Sequence, residues 1–99
     1  MKIAKNKLVN YTMTKIYIYC LFDGNDNFFG VYSSIKAVHR DALKLANSGE
    51  HRVMLDLDGE KVEPTLVNLR NTFKGRYDLW VKYRSGHNIA KVVKTKLKE

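Results

Sequence analysis

The run KIYIYCLF at Lys15 to Phe22 constrains the fold more than any other part of this chain. β-branched and aromatic residues alternate there with a period of two, setting Ile16, Ile18, Cys20 and Phe22 on one face and Tyr17, Tyr19 and Leu21 on the other. That is a strand, and with both faces apolar it belongs in the middle of a sheet. The segment DGNDN at Asp23 to Asn27 supplies turn residues, and Phe28 to Tyr32 returns as a second strand to close a hairpin. The apolar stretch Ile16 to Phe22 is far short of the roughly 20 residues that span a bilayer, and no signal-peptide pattern leads the chain, so a cytoplasmic protein with no membrane partner is expected.

The pattern then changes period. Ser33 and Ser34 offer an N-cap, and Ile35, Val38, Ala42 and Leu45 follow at helical spacing up to Asn47, with Gly49 free to turn left-handed beyond the end. Alternation resumes over His51 to Leu57, where Val53, Leu55 and Leu57 share a face, and Asp58-Gly59 turns that strand back through Lys61 and Val62. Pro64 and Thr65 open a shorter helix with Leu66, Leu69, Arg70 and Phe73 on one side and Gly75 at its end. Tyr77 to Arg84 and Asn88 to Leu97 form a last hairpin around Ser85 and Gly86. The predicted fold class is therefore α+β: an antiparallel sheet with two helices on one face, in the order ββα-ββα-ββ, leaving the other face partly open. Residues 1–12 lack either period and carry three lysines, so they read as a basic N-terminal arm before a single domain over residues 13–99. Asp-Gly occurs in both hairpins that precede a helix, at Asp23 and Asp58, which hints at a duplicated ββα unit.

Charge points to the kind of partner. The formal net charge is +8, and it is unevenly placed. Residues 1–22 hold four lysines and no acid, residues 23–69 hold five basic against eight acidic residues, and residues 70–99 hold nine basic against two acidic. Should the first and last segments meet in space, their fields add into a face that attracts phosphates. A symmetric dimer through an exposed strand edge and the Tyr-bearing face is also expected of a sheet this small.

Catalytic and metal motifs are missing from the sequence. His39, His51 and His87 are scattered, with no Cys-x-x-Cys or His-Glu-x-x-His pattern, and the lone Cys20 reads as a small buried thiol. Asp23, Asn25 and Asn27 begin like a calcium loop, but Phe28 stands where glycine is needed and Ser34 where a bidentate glutamate is needed. Asp56, Asp58 and Glu60 flank a tight turn, where aspartate serves the turn itself. A binding module without cofactor or metal is expected, in preference to an enzyme.

Two constellations fit an anionic ligand. Lys36, Arg40 and Lys44 form a basic stripe on the first helix, opposite its apolar side. In the final hairpin, alternation sets Trp80, Lys82 and Arg84 together, and Val92, Lys94 and Lys96 share a face of the partner strand. If these two faces coincide, with Lys98 nearby, Trp80 can stack a base while the cations follow phosphates, the arrangement a strand of RNA or DNA requires.

The segment GVYSSIKAVHRDAL at Gly30 to Leu43, with the leading KIYIYCLFDG, resembles a segment of small accessory proteins of large tailed bacteriophages, where an aromatic-ended strand runs into a serine-capped helix. The resemblance implies an early protein that binds and disables a host enzyme, toxin or nuclease, or that binds nucleic acid. The same segment is similar to the start of a DNA-binding module of homing endonucleases, but HRVMLDLDG reads as strand where that module has a recognition helix. Neither likeness carries over a catalytic residue. The expectation is a protein that binds RNA or another nucleic acid through its C-terminal hairpin while inhibiting a host defence factor. The alternative is a protein-only inhibitor that docks the aromatic face of its first hairpin on a host enzyme.

Overall fold

Residues 16–74 and 79–97 are described by the computed structural model. They form β1 (Tyr17–Asp23), β2 (Phe28–Tyr32), α1 (Ile35–Ala46), β3 (Met54–Leu57), β4 (Glu60–Val62), α2 (Leu66–Phe73), β5 (Leu79–Ser85) and β6 (Asn88–Lys96). This is the α+β order read from the sequence. The expected arm at 1–12, the helix stop at Gly75 and the strand start at Tyr77 lie outside the described residues.

Local chemistry fixes each element. The Ser34 hydroxyl accepts from the Ala37 amide (3.2 Å) and the Thr65 hydroxyl from the Asn68 amide (3.0 Å), so both helices begin with one orphan donor satisfied. Asp58 and Gly59 take φ of 54° and 93°, the left-handed pair that a two-residue hairpin with the native twist requires. At the Gly86-His87 turn the backbone favours glycine: Gly86 has φ 63°, and a Cβ there would stand 2.6 Å from the His51 ring as placed. The third strand starts at Met54 and not at His51. Ladder bonds give way there to side-chain bonds, with Ser85 Oγ donating to the His51 carbonyl (2.7 Å) and the His51 amide donating to Ser48 Oγ (3.2 Å).

All pairings are antiparallel, in the sheet order β2-β1-β6-β5-β3-β4. The central β5–β6 hairpin is flanked by one β-hairpin on each side, each leading into a helix. Strand directions relate the two ββα units by an approximate two-fold axis normal to the sheet, which gives the repeated Asp-Gly turns a topological counterpart. Both helices cover the same face. Val38, Ala42 and Ala46 of α1 and Leu69 and Phe73 of α2 close over Leu21, Leu55, Val81, Tyr83, Ala90 and Val92. Fully burying side chains of this size contributes about 1.5 to 3 kcal/mol for each larger one, so this layer is where the fold draws its stability.

Tyr19 also turns into that layer, its ring 5.9 Å from that of Phe73, and Tyr32 donates to Asp41 Oδ2 (2.7 Å). The tyrosine side of the first hairpin therefore lies on the helix side of the sheet, half-buried. Cys20, expected to be buried, is only half-buried on the opposite face, between Val31 and Val93. No helix among the described residues is long and apolar enough to cross a membrane.

Candidate nucleic-acid interface

The last hairpin has a two-residue loop, Gly86-His87, between the paired Ser85 and Asn88. From that pair the register runs Arg84–Ile89, Tyr83–Ala90, Lys82–Lys91, Val81–Val92, Trp80–Val93 and Leu79–Lys94. Val81, Tyr83 and Ser85 are buried under the helices, so Trp80, Lys82 and Arg84 point to the uncovered face, as alternation predicts. Their neighbours on β6 are Val93, Lys91 and Ile89.

Cross-strand registers extend this face across the whole sheet. One ladder runs Lys61, Asp56, Lys82, Lys91, Phe22, Phe28 through all six strands, and the next runs Trp80, Val93, Cys20, Val31. Trp80 is 51 % exposed, with Lys82 Nζ 5.3 Å and Lys91 Nζ 5.9 Å from its ring centre. Phe22 and Phe28 meet edge to face at 5.6 Å. An aromatic ring between two ammonium groups, beside a second aromatic pair, can offer both a stacking surface and phosphate counter-charges.

The cations on this face are not equivalent. Arg84 Nε donates to Asp56 Oδ2 (3.1 Å). Burial opposes ionisation of Asp56, but the Gly59 amide and the Arg84 guanidinium outweigh it and hold the carboxyl below its ordinary range, so Arg84 is partly neutralised at neutral pH. Lys91 is paired with the exposed Asp26. Lys82 has no carboxylate partner among the described residues and is the best-placed cation for a phosphate. Asp56, Gly59, Thr72, Leu79, Trp80 and Lys82 border a cleft of about 500 Å³ where β3 and β5 part.

Lys94 and Lys96 are misplaced by the sequence reading. Lys94 stands opposite Leu79 on the helix-covered face and is only 7 % exposed. Its Nζ donates to the Phe73 carbonyl at the last turn of α2 (2.9 Å) and lies 4.4 Å from the centre of the Tyr17 ring. A cation at the C-terminal end of a helix satisfies a carbonyl with no intrahelical partner and opposes the negative end of the dipole. Burial pushes the ammonium pKa down. Lys96 follows Lys94 on the same face, paired with Tyr17. Neither sits beside Trp80, and Lys98 lies outside the described residues.

Lys36, Arg40 and Lys44 are exposed on the outer side of α1, with Arg40 paired to Asp41 (2.9 Å). They border a shallow groove with Ala37, His39 and Leu43. The helix layer separates them from Trp80, so the stripe and the hairpin are two surfaces and not one site. β1 and β6 are neighbours, as the charge argument required, but all four lysines of residues 1–22 lie outside the described residues. Lys91, Phe22 and Phe28 are the members of this face that the sequence reading missed. Among the described residues no group of three His, Cys, Asp or Glu side chains is placed to hold a metal ion. Comparison with protein-family models, curated proteins and solved structures finds no match for the chain.

Proposed function

We propose that this chain is a binding protein for single-stranded nucleic acid, RNA before DNA, and that it binds on the uncovered face of its sheet. The observation that carries the reading is the half-exposed Trp80 between the ammonium groups of Lys82 and Lys91, on a face that neither of the two described helices covers. Trp80 stacks a base, Lys82 and Lys91 take the flanking phosphates, and the Phe22–Phe28 pair two strands away receives a second base. No covalent step is assigned to it: it is a module without cofactor or metal, acting in the cytoplasm. Sequestration of RNA in this way suits a small phage-type accessory protein that blocks a host defence factor or toxin. For the protein-only alternative, Tyr19 and Tyr32 are half-buried and engaged with Phe73 and Asp41, which leaves Phe28 and Phe29 as the exposed aromatics of the first hairpin.

The single tryptophan of the chain makes the test direct, because its fluorescence reports on the proposed stacking residue alone. Titration with single-stranded RNA should quench Trp80. Replacing Lys82 and Lys91 together by alanine should lower the slope of log affinity against log salt by about 0.7 for each phosphate no longer neutralised. Trp80→Ala, followed by anisotropy of labelled RNA, should cost about 1 to 3 kcal/mol with the slope nearly unchanged. Absence of quenching, with RNA affinity equal in the wild type and both variants, rejects the site.

A further inference from the structure

The two edges of the sheet are unlike. β4 has three residues, two of them the charged Glu60 and Lys61, a short charged edge of the kind that resists pairing with another chain. β2 reads FFGVY with no charge and no proline, and it exposes Phe28 (58 %), Phe29 (53 %) and Val31 (57 %). Apolar surface stands on both sides of this one strand. Phe28 and Val31 share the open face with their partners Phe22 and Cys20, while Phe29 lines a recess on the helix side with Tyr32 and Leu45, rimmed by the charged pair Asp41 and Lys44.

Among the described residues, the backbone at this edge is also unsatisfied by its own sheet. The Asp23 amide donates to the Asn27 carbonyl (3.0 Å), so alternation along β1 turns the groups of Leu21 and Tyr19 towards β2. Their partners Gly30 and Tyr32 bond inward, and Val31 directs its N–H and C=O out of the sheet. The bulge at the Leu21/Phe22 step breaks the ladder on the inner side and limits the straight part of the edge to the residues around Val31.

We infer that β2 is the interface with a second copy of this chain, the two β2 strands pairing antiparallel about a two-fold axis at Val31. Each protomer then donates to and accepts from the other, and the two sheets become one of twelve strands with both open faces on the same side. Charge selects a second copy as the occupant. From Ile16 to Ile35 there is no lysine or arginine, the longest such run in a chain of formal charge +8, so β2 itself brings no cation to the interface and Lys44, beside Phe29, has Asp41 next to it in the same recess. Seven strand spacings separate β5 of one protomer from β5 of the other, about 33 Å at 4.7 Å each, against a screening length of about 8 Å in physiological salt. The pairing does not rest on the nucleic-acid reading: it shares only the Phe22–Phe28 pair with that site, and the residues that test it, Val31 and Phe29, are given no role in binding RNA.

Sedimentation velocity of nucleic-acid-free, full-length protein across the micromolar range tests it. A monomer–dimer exchange that changes little between physiological and high salt is expected. Val31→Lys and, separately, Phe29→Lys should each weaken the dimer by about tenfold or more with an unchanged circular dichroism spectrum, because both side chains are already more than half exposed. A monomer at every concentration overturns the proposal, and so does a dimer indifferent to both substitutions. A wild-type monomer that dimerises only after removal of residues 1–15 also overturns it, by showing that the chain's own leading segment occupies the β2 edge.

Discussion

Replacing Lys94 separates a structural role from a binding role. Lys94→Ala removes about three buried methylenes at about 0.8 kcal/mol each and leaves the Phe73 carbonyl without its donor, a loss of about 1 to 3 kcal/mol. Relief of a desolvated ammonium offsets part of this, so a net destabilisation of about 2 to 4 kcal/mol is expected. In a domain of this size that lowers Tm by roughly 10 °C or more. Lys94→Met keeps the packing and loses only the charge and the hydrogen bond, so it should cost about 1 kcal/mol. Urea unfolding followed by circular dichroism gives both values. The pH dependence adds a sign. Burial lowers the pKa of Lys94 in the folded state, so between that value and the ordinary 10.5 the unfolded chain holds more protons and this residue's contribution to stability rises with pH. The difference between wild type and Lys94→Met should carry that rise, with the opposing tyrosine ionisations cancelled. If Lys94→Ala is as stable as the wild type but binds RNA more weakly and with a shallower salt slope, Lys94 faces the ligand and the hairpin register is wrong.

Acid should loosen the sheet–helix contact through His39, whose Nδ1 lies 2.7 Å from the hydroxyl of the buried Tyr83. Burial holds the imidazole below its ordinary 6.5, so as pH falls through 6.5 the unfolded chain takes up the proton first and stability declines until the folded-state pKa is passed; His39→Gln, assayed by urea midpoints at several pH values, should flatten that decline. Gly86→Ala should cost about 1 to 2 kcal/mol in unfolding free energy, because φ 63° is unfavourable for alanine. The loss should persist in a His51→Ala background, since the exposed His51 ring can swing aside and the backbone cost remains.

The elements were legible because each is announced locally. Alternation marks β1 and β2, Ser34 and Thr65 cap the helices, and Asp58-Gly59 makes its turn. The site was half legible. A two-residue loop always pairs an even-numbered position with an odd-numbered one, so Gly86-His87 already sets Lys82 against Lys91 and sends Lys94 to the opposite side from Trp80. Grouping Trp80 with Lys94 and Lys96 requires even positions of both strands to share a face, which such a loop forbids. Phe22 is different. It joins the ladder only because β1 pairs with β6, a contact between residues about seventy positions apart that no local pattern encodes. Nor does alternation say which side of β1 the helices cover, since Tyr19 with Leu21 and Cys20 with Phe22 are both apolar enough to be either.

What decides that side is the demand of Tyr83 and Lys94 for polar partners. A buried hydroxyl or ammonium without one costs more than a buried ring gains, and only the helix layer supplies His39 Nδ1 and the Phe73 carbonyl. Turning the β5–β6 hairpin over would bury Trp80 but also Lys82, Lys91 and Arg84; Arg84 and Lys91 would lose Asp56 and Asp26, and the two helices carry a single carboxylate, Asp41, already engaged by Arg40 and Tyr32. The need to satisfy polar groups therefore holds Trp80 outward even though its ring carries more apolar area than any side chain it would replace. The exposed tryptophan follows from where the lysines can be satisfied, and the same constraint gathers the unburied cations around it.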